Sequence, residues 1–273
     1  GWGLELPVVV LEENGNLHTL QRALGHLRNA FAFQAMGEHV LVQCYANCFQ
    51  PVCHEPSGDC VTHYSQGGKM FLPGGPSALG DANRTWLSPH GWSTQMLSAS
   101  YRPQGLRVDI TGDPSGPAGS DIRLHAMAAM DENDETSTVV RVLNPTANVI
   151  QLVIDVVGDR AISIAGEEDT GTAGSVITVD TLSGETLSAD NSWESPLAVH
   201  PVRSSSISVD AITVGPGGAG GTGSTGKGST GSKRRALMMI NHTLPPLSFA
   251  VFTLPATSKK DRGSGSGATA DVR

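Results

Sequence analysis

The sequence predicts a chain in two parts, an α/β piece followed by an all-β antiparallel sandwich. Three observations carry that reading. A continuous apolar run at residues 6–11 leads into a helical pattern with one apolar stripe. A second apolar run then completes a strand–helix–strand unit within about 45 residues. From about residue 105 onward the apolar period changes to two, as in strands with one face on a core.

The elements follow in order. Leu6-Pro7-Val8-Val9-Val10-Leu11 ends in Glu12-Glu13-Asn14-Gly15 and reads as a strand buried on both faces, the habit of parallel sheets. Leu17, Leu20, Leu24, Leu27 and Phe31 recur at three- and four-residue steps and predict an amphipathic helix. Asn16 is placed to cap its start, and Gly37 lies just past its end. A second strand is expected at Val40-Leu41-Val42, continuing to Phe49. Residues 51–82, rich in Pro, Gly, Ser and His, read as a long loop. Another helix is expected within 86–101, carrying Trp92, Met96 and Leu97 and stopped by Pro103.

Beyond it, Leu106, Val108 and Ile110 alternate with polar neighbours, as do Val140 and Val142 about Arg141. Ile150, Leu152, Ile154 and Val156 form a third such set, and Phe249 and Val251 a fourth. The expected organisation is an α/β part over 1–103, a sandwich over 104–256, and a disordered tail over 257–273. A Gly/Ser/Thr tract at 215–232 is expected to interrupt the sandwich without order of its own.

Composition excludes several classes. Formal net charge is −8, and Lys233-Arg234-Arg235 is the one basic cluster, so no broad basic face is available to nucleic acid. An acidic surface suits a neutral ligand such as a sugar. No apolar run reaches the roughly 20 residues of a membrane-spanning helix. The chain opens on Gly1-Trp2 without an initiator Met, and it reads as a piece of a longer protein. Sequons at Asn83 and Asn241 are compatible with secretion, but no compartment is written in the sequence. Oligomerisation is left open.

Cys44, Cys48, Cys53 and Cys60 crowd together with His54 and His63 nearby. Their spacings do not match paired zinc knuckles, so no metal and no cofactor is expected. Cys44 and Cys48 read as buried thiols in an apolar stretch, and Cys53–Cys60 as a disulfide if the protein is exported. His18 and His26 lie off the apolar stripe and read as surface or loop-facing. Trp86 and Trp92 suit either a sugar face or the core. Met238 and Met239 read as strand core, and Asp190 and Glu194 as solvent-facing.

In parallel barrels, catalytic groups stand at the C-terminal ends of strands, the place that Glu12 and Glu13 occupy. A carboxylate there can attack an anomeric carbon when a second carboxylic acid lies about 5 Å away. The stretch Val9-Val10-Leu11-Glu12-Glu13-Asn14-Gly15-Asn16 and the later Val42-Gln43-Cys44-Tyr45-Ala46-Asn47-Cys48-Phe49-Gln50 resemble the barrel end of glycoside hydrolase family 51. So do Gly68-Lys69-Met70-Phe71-Leu72-Pro73, Thr85-Trp86-Leu87-Ser88-Pro89 and Thr94-Gln95-Met96-Leu97. Arg141-Val142-Leu143-Asn144-Pro145, Leu187-Ser188-Ala189-Asp190-Asn191 and Leu244-Pro245-Pro246-Leu247-Ser248-Phe249 are similar to its sandwich motifs, in the same order.

The resemblance implies that the α/β part is a barrel remnant, the last two strand–helix units of a TIM-type (β/α)8 barrel. It implies a retaining α-L-arabinofuranosidase acting on arabinose-containing polysaccharides, with Glu12 as nucleophile and Asn47 contacting the sugar. Glu13 stands where the family commonly has an aromatic residue, and it rivals Glu12. The family's acid/base Glu, preceded by Asn on an earlier strand, has no counterpart in this chain. A non-catalytic carbohydrate-binding or cell-wall sandwich is the competing reading.

The glycine-rich tract generates a first expectation. Limited proteolysis should cut earliest near Lys227 or Lys233, because the tract cannot bury enough apolar surface to offset its ordering entropy. First cleavage within 139–157 would contradict it.

Overall fold

The structure, a computed structural model, describes residues 7–13, 18–45, 49–53, 70–74, 86–111, 123–131, 138–158, 177–192, 195–204, 209–214, 235–254 and 269–272. It is mostly β, with two α-helices near the start. Strand β1 (Val8–Glu13) and strand β2 (Val40–Tyr45) pair in parallel across helix α1 (Leu20–Ala35). This is the expected strand–helix–strand unit. Helix α2 spans Pro89–Ala99, and the expected stop at Pro103 lies just beyond it.

Between them the expected loop contains strands. β3 (Phe49–Cys53) and β4 (Met70–Gly74) run parallel, and β5 (Trp86–Leu87) pairs antiparallel with β4. The reading of 51–82 as loop is therefore corrected at Pro51–Cys53 and Met70–Gly74. Both strands are short and contain Pro, a residue tolerated only where a sheet does not need its missing N–H.

The remaining strands are β6 (Gln104–Ile110), β7 (His125–Met130), β8 (Val139–Asn144) and β9 (Ile150–Gly158). They continue with β10 (Thr178–Ser183), β11 (Val202–Ser204), β12 (Val209–Val214) and β13 (Arg235–Leu244). β14 (Ser248–Thr253) and β15 (Thr269–Val272) complete the set. They form one ten-stranded sheet in the order β11-β10-β14-β8-β7-β6-β15-β9-β13-β12. Its two halves share one core, in which Val140, Val142 and Phe252 of one half meet Leu152, Ile154 and Ile240 of the other. β6 passes from one half to the other, pairing with β7 through Gln104–Leu106 and with β15 through Arg107–Ile110. The stretch expected as a disordered tail thus includes a four-residue strand, parallel to β6 and antiparallel to β9. The tract 215–232 lies outside the described residues, between the paired strands β12 and β13.

The helices cover the outer face of the first half. Leu20, Leu24, Leu27, Phe31 and Met96 form a second core with Val139, Leu143, Leu182, Phe249 and Val251. Successive residues of β8 and β14 therefore feed opposite cores, and every residue of β8 is buried. Phe31 meets Phe249 edge-on with ring centroids 6.1 Å apart. The period-two reading left Arg141 on an open face, whereas helices bury that face as well. β1 and β2 show the reverse. β1, expected to be buried on both faces, leaves Val8 and Val9 44% and 45% exposed, and on β2 Leu41 and Val42 are 59% and 44% exposed. α1 packs against β7 and β8, so its apolar stripe serves the antiparallel sheet.

Turns explain the joints. Thr19 caps α1 without a side-chain bond; instead the N–H groups of Leu20 and Gln21 donate to the carbonyls of Ala189 and Leu187 at 2.8 and 2.9 Å. Asn16, the expected cap, lies outside the described residues. Gly37 ends the helical stretch at φ +58, a conformation glycine adopts without a Cβ penalty. A Cβ on Gly184 would come within 3.1 Å of Leu20 and Ala189, so a side chain there would press on both neighbours. Ser88 caps α2 by accepting from Gly91 N–H at 3.1 Å, with Pro89 in the first turn.

Two buried asparagines do most of the remaining joining. Asn144 donates to Asn148 and Pro245 carbonyls at 2.9 and 2.7 Å and accepts from Thr146, tying two strand turns together. Asn191 donates to the Leu87 and Val199 carbonyls, each at 2.8 Å, and accepts from Val199 N–H at 2.7 Å. Its own carbonyl accepts from Trp86 Nε1 at 3.2 Å. Asn191→Ala removes three side-chain bonds and leaves buried backbone groups unpaired, so unfolding in urea should show a loss of about 1–3 kcal/mol. A loss below about 0.5 kcal/mol would show that this joint carries no stability.

Candidate active site

The parallel pair brings two strand ends together. Glu13 closes β1 and is the register partner of Tyr45, which closes β2. Glu12 precedes it on the same strand. The pairing is irregular at this point, because Val10 pairs with Gln43 while Glu13 pairs with Tyr45. One extra residue therefore falls on β1 over Leu11–Glu13. Such a bulge breaks strict alternation and re-aims side chains at a strand end. Asn47 lies outside the described residues, two positions beyond the end of β2.

Several other sequence candidates change character. Cys44 is an exposed free thiol on β2, not the buried one expected, because no described element covers it. Cys48 and Cys60 lie outside the described residues, and Cys53 falls on β3. Among the described residues no group of three or more His, Cys, Asp or Glu is placed to hold a metal ion. Trp86 is buried with its indole N–H donating to Asn191, so it serves the core and not a sugar face. Trp92 is half-buried and packs against the helix–sheet core. Asp190 is exposed, as expected.

His26 is also corrected. It is buried on α1 and stacks on His90 of α2, with ring centroids 3.8 Å apart and planes 30° apart. The stacked pair joins the two helices, a role invisible at 64 residues of separation. The one local signal was a histidine in the first turn of α2, beside Pro89.

No family model matches the chain, and no curated protein matches it. Solved structures do. An arabinose-bound α-L-arabinofuranosidase of glycoside hydrolase family 51 is similar over 89% of this chain and 28% of its own, at 14% identity and TM-score 0.52. The thermostable family 51 α-L-arabinofuranosidase from Thermotoga petrophila is similar over 92% of this chain and 43% of its own, at 14% identity and TM-score 0.52. The α-L-arabinofuranosidase from Thermotoga maritima, in complex with arabinose, is similar over 90% of this chain and 40% of its own, at 16% identity and TM-score 0.50. The chain thus spans less than half the length of these structures and shares their fold over that span.

Histidine burial sets a pH limit on the framework that carries these strand ends. Burial lowers the pKa of His18, beside α1, although Asp190 pulls it back up. Burial also lowers that of His242, whose ring meets Phe252 edge-on at 5.2 Å. A basic group depressed in the fold binds more protons when unfolded, so stability is full above the ordinary value of 6.5 and falls as pH drops below it. Urea midpoints should decline between about pH 7 and pH 5, before most carboxylates titrate, and His242→Gln should flatten that slope. A flat profile in the parent chain would contradict this.

Proposed function

We propose that this chain is the closing part of a longer retaining α-L-arabinofuranosidase, supplying the nucleophile Glu12 and the sugar-contacting Asn47. The observation that carries the reading is the fold likeness to arabinofuranosidase structures over about nine-tenths of the chain. The strand ending in Glu12-Glu13 runs beside a parallel neighbour, the arrangement that this reading needs. In this reading β1 and β2 are the last two strands of a (β/α)8 barrel, whose chemistry gathers at the C-terminal ends of its strands. The half-exposed Val8, Val9, Leu41 and Val42 are then surfaces that the rest of the barrel covers.

The mechanism needs two carboxyl groups about 5 Å apart. The Glu12 carboxylate attacks the anomeric carbon while an acid elsewhere in the longer protein protonates the departing glycosidic oxygen. The resulting glycosyl ester is cleaved by a water that the same second group deprotonates, returning both carboxyls to their starting states. Glu13 is the rival nucleophile, and the bulge over Leu11–Glu13 is the reason adjacency alone does not choose between them. A non-catalytic carbohydrate-binding role is the second reading, and a strand-Asn-Glu motif in the longer protein would count against it.

The test compares the longer protein with this chain on an aryl arabinofuranoside. Glu12→Gln should lower the rate by several orders of magnitude, since the ester can no longer form. Glu13→Gln should cost far less. Asn47→Ala should lose about 1–3 kcal/mol of transition-state binding. The 273-residue chain alone should be inactive. Activity in that chain would overturn the division of the machinery, and a dead Glu13→Gln beside a live Glu12→Gln would move the nucleophile by one residue.

A further inference from the structure

A cavity of about 600 Å³ lies between the end of α1, strand β2 and the outer face of β7 and β8. Phe33, Leu41 and Met127 give it apolar walls, and Gln43 adds an amide. Arg141 of β8 lines it while being only 4% exposed. Arg102, on the connection from α2 to β6, lines it as well. No described residue lining the cavity is acidic. This is unusual placement for two guanidinium groups in a chain of net charge −8.

Arg141 is held by neutral groups. Its Nε donates to Ser100 Oγ at 2.9 Å, its Nη1 to Gln34 Oε1 at 3.2 Å, and its Nη2 to the Ser100 carbonyl. A guanidinium has five N–H groups, so one remains on each terminal nitrogen. Burial lowers its pKa to about 10, and the neighbouring Arg102 presses in the same direction. Taking a cation out of water without an anion is costly, and removing one of a buried pair's partners shows how large that cost is. A guanidinium fork binds a carboxylate at two points, which a lone ammonium cannot do.

We infer that this cavity is a binding site for a small organic carboxylate of sugar-acid size, whose charge pairs with Arg141, with Arg102 adding positive potential beside it. The volume lies within the usual range for small-molecule sites, roughly 300–1,000 Å³, and exceeds what one carboxylate group alone needs. The apolar walls and the Gln43 amide are suited to the body of such a molecule. The site is separate from Glu12 and Glu13, neither of which lines it.

Titration calorimetry on the full 273-residue chain tests it with three probes: D-glucuronate, its neutral counterpart D-glucose, and inorganic phosphate. Glucuronate should bind at least about ten-fold more tightly than glucose, and added salt should weaken it. Arg102→Gln, a change at a partly exposed side chain, should weaken glucuronate about five-fold with an unchanged Tm. Arg141→Lys keeps the charge and loses the fork, and it should abolish the preference for glucuronate over glucose. Equal affinity for glucuronate and glucose, or no binding of glucuronate, would overturn the proposal. So would phosphate binding more tightly than glucuronate, or an Arg102→Gln variant with unaltered affinity. If Arg141→Lys does not fold, the glucose comparison and Arg102→Gln still decide.

Discussion

Everything in this molecule depends on one sheet half being buried on both faces. Val140, Val142, Ala250 and Phe252 face the other half of the ten-stranded sheet, while Val139, Leu143, Phe249 and Val251 face the helices. Packing at both faces removes water from two apolar surfaces with one set of backbone hydrogen bonds. At roughly 25 cal/mol per Å² of apolar area, such strands contribute more per residue than strands with one wet face. The cost is that any polar group on them must find partners inside. Arg141 does so through Ser100 and Gln34, and Asn144 through Asn148, Pro245 and Thr146.

That constraint explains why the helices and the antiparallel strands are not independent units. α1 begins on carbonyls at 187 and 189 and lays its apolar face on β7 and β8. α2 follows a segment held by Asn191, through the Leu87 carbonyl and the Trp86 indole. The stretch Leu187–Asn191 is therefore a joint as well as an exposed turn. Its importance comes from backbone carbonyls and one buried amide, neither of which depends on the charges at Asp190 or Glu185.

The same arrangement sets what the sequence could and could not disclose. The apolar runs of β1 and β2, the stripe of α1 and a helix within 86–101 ended by Pro103 were readable from apolar pattern and breaker residues, though the Pro89 start of α2 was not. β3 and β4 were hidden by Pro51 and Pro73, which mark a loop as readily as an edge strand. β15 is four residues, too short to show a period, and its place depends on β6 and β9 far back in the chain. His26 looked polar on a helix face because its partner His90 is remote. Arg141 looked exposed because alternation records one buried face and is silent about a second. At the candidate site, strand ends carrying carboxylates were legible, but the bulge over Leu11–Glu13 is a property of pairing with β2, and composition does not encode it.

A chemical consequence follows from the short tether between β1 and α1. Only five residues separate Glu13 from Thr19, and the first turn of α1 is fixed by the carbonyls of Leu187 and Ala189. The other end of the helix leads through Gly37 directly into β2, the strand that pairs with β1. The antiparallel body thus holds the first turn of the helix that joins the two strands of the unit carrying Glu12 and Glu13. Under the proposed function, displacing a carboxylate by about 1 Å would cost on the order of 10²-fold in rate, and an anchor remote from the chemistry would then have catalytic value. The apolar surface of α1 goes to the antiparallel sheet instead of its own parallel strands, and the result is a platform that positions strand ends. Val8 and Val9 of β1 and Val42 of β2 are left half-exposed by this arrangement.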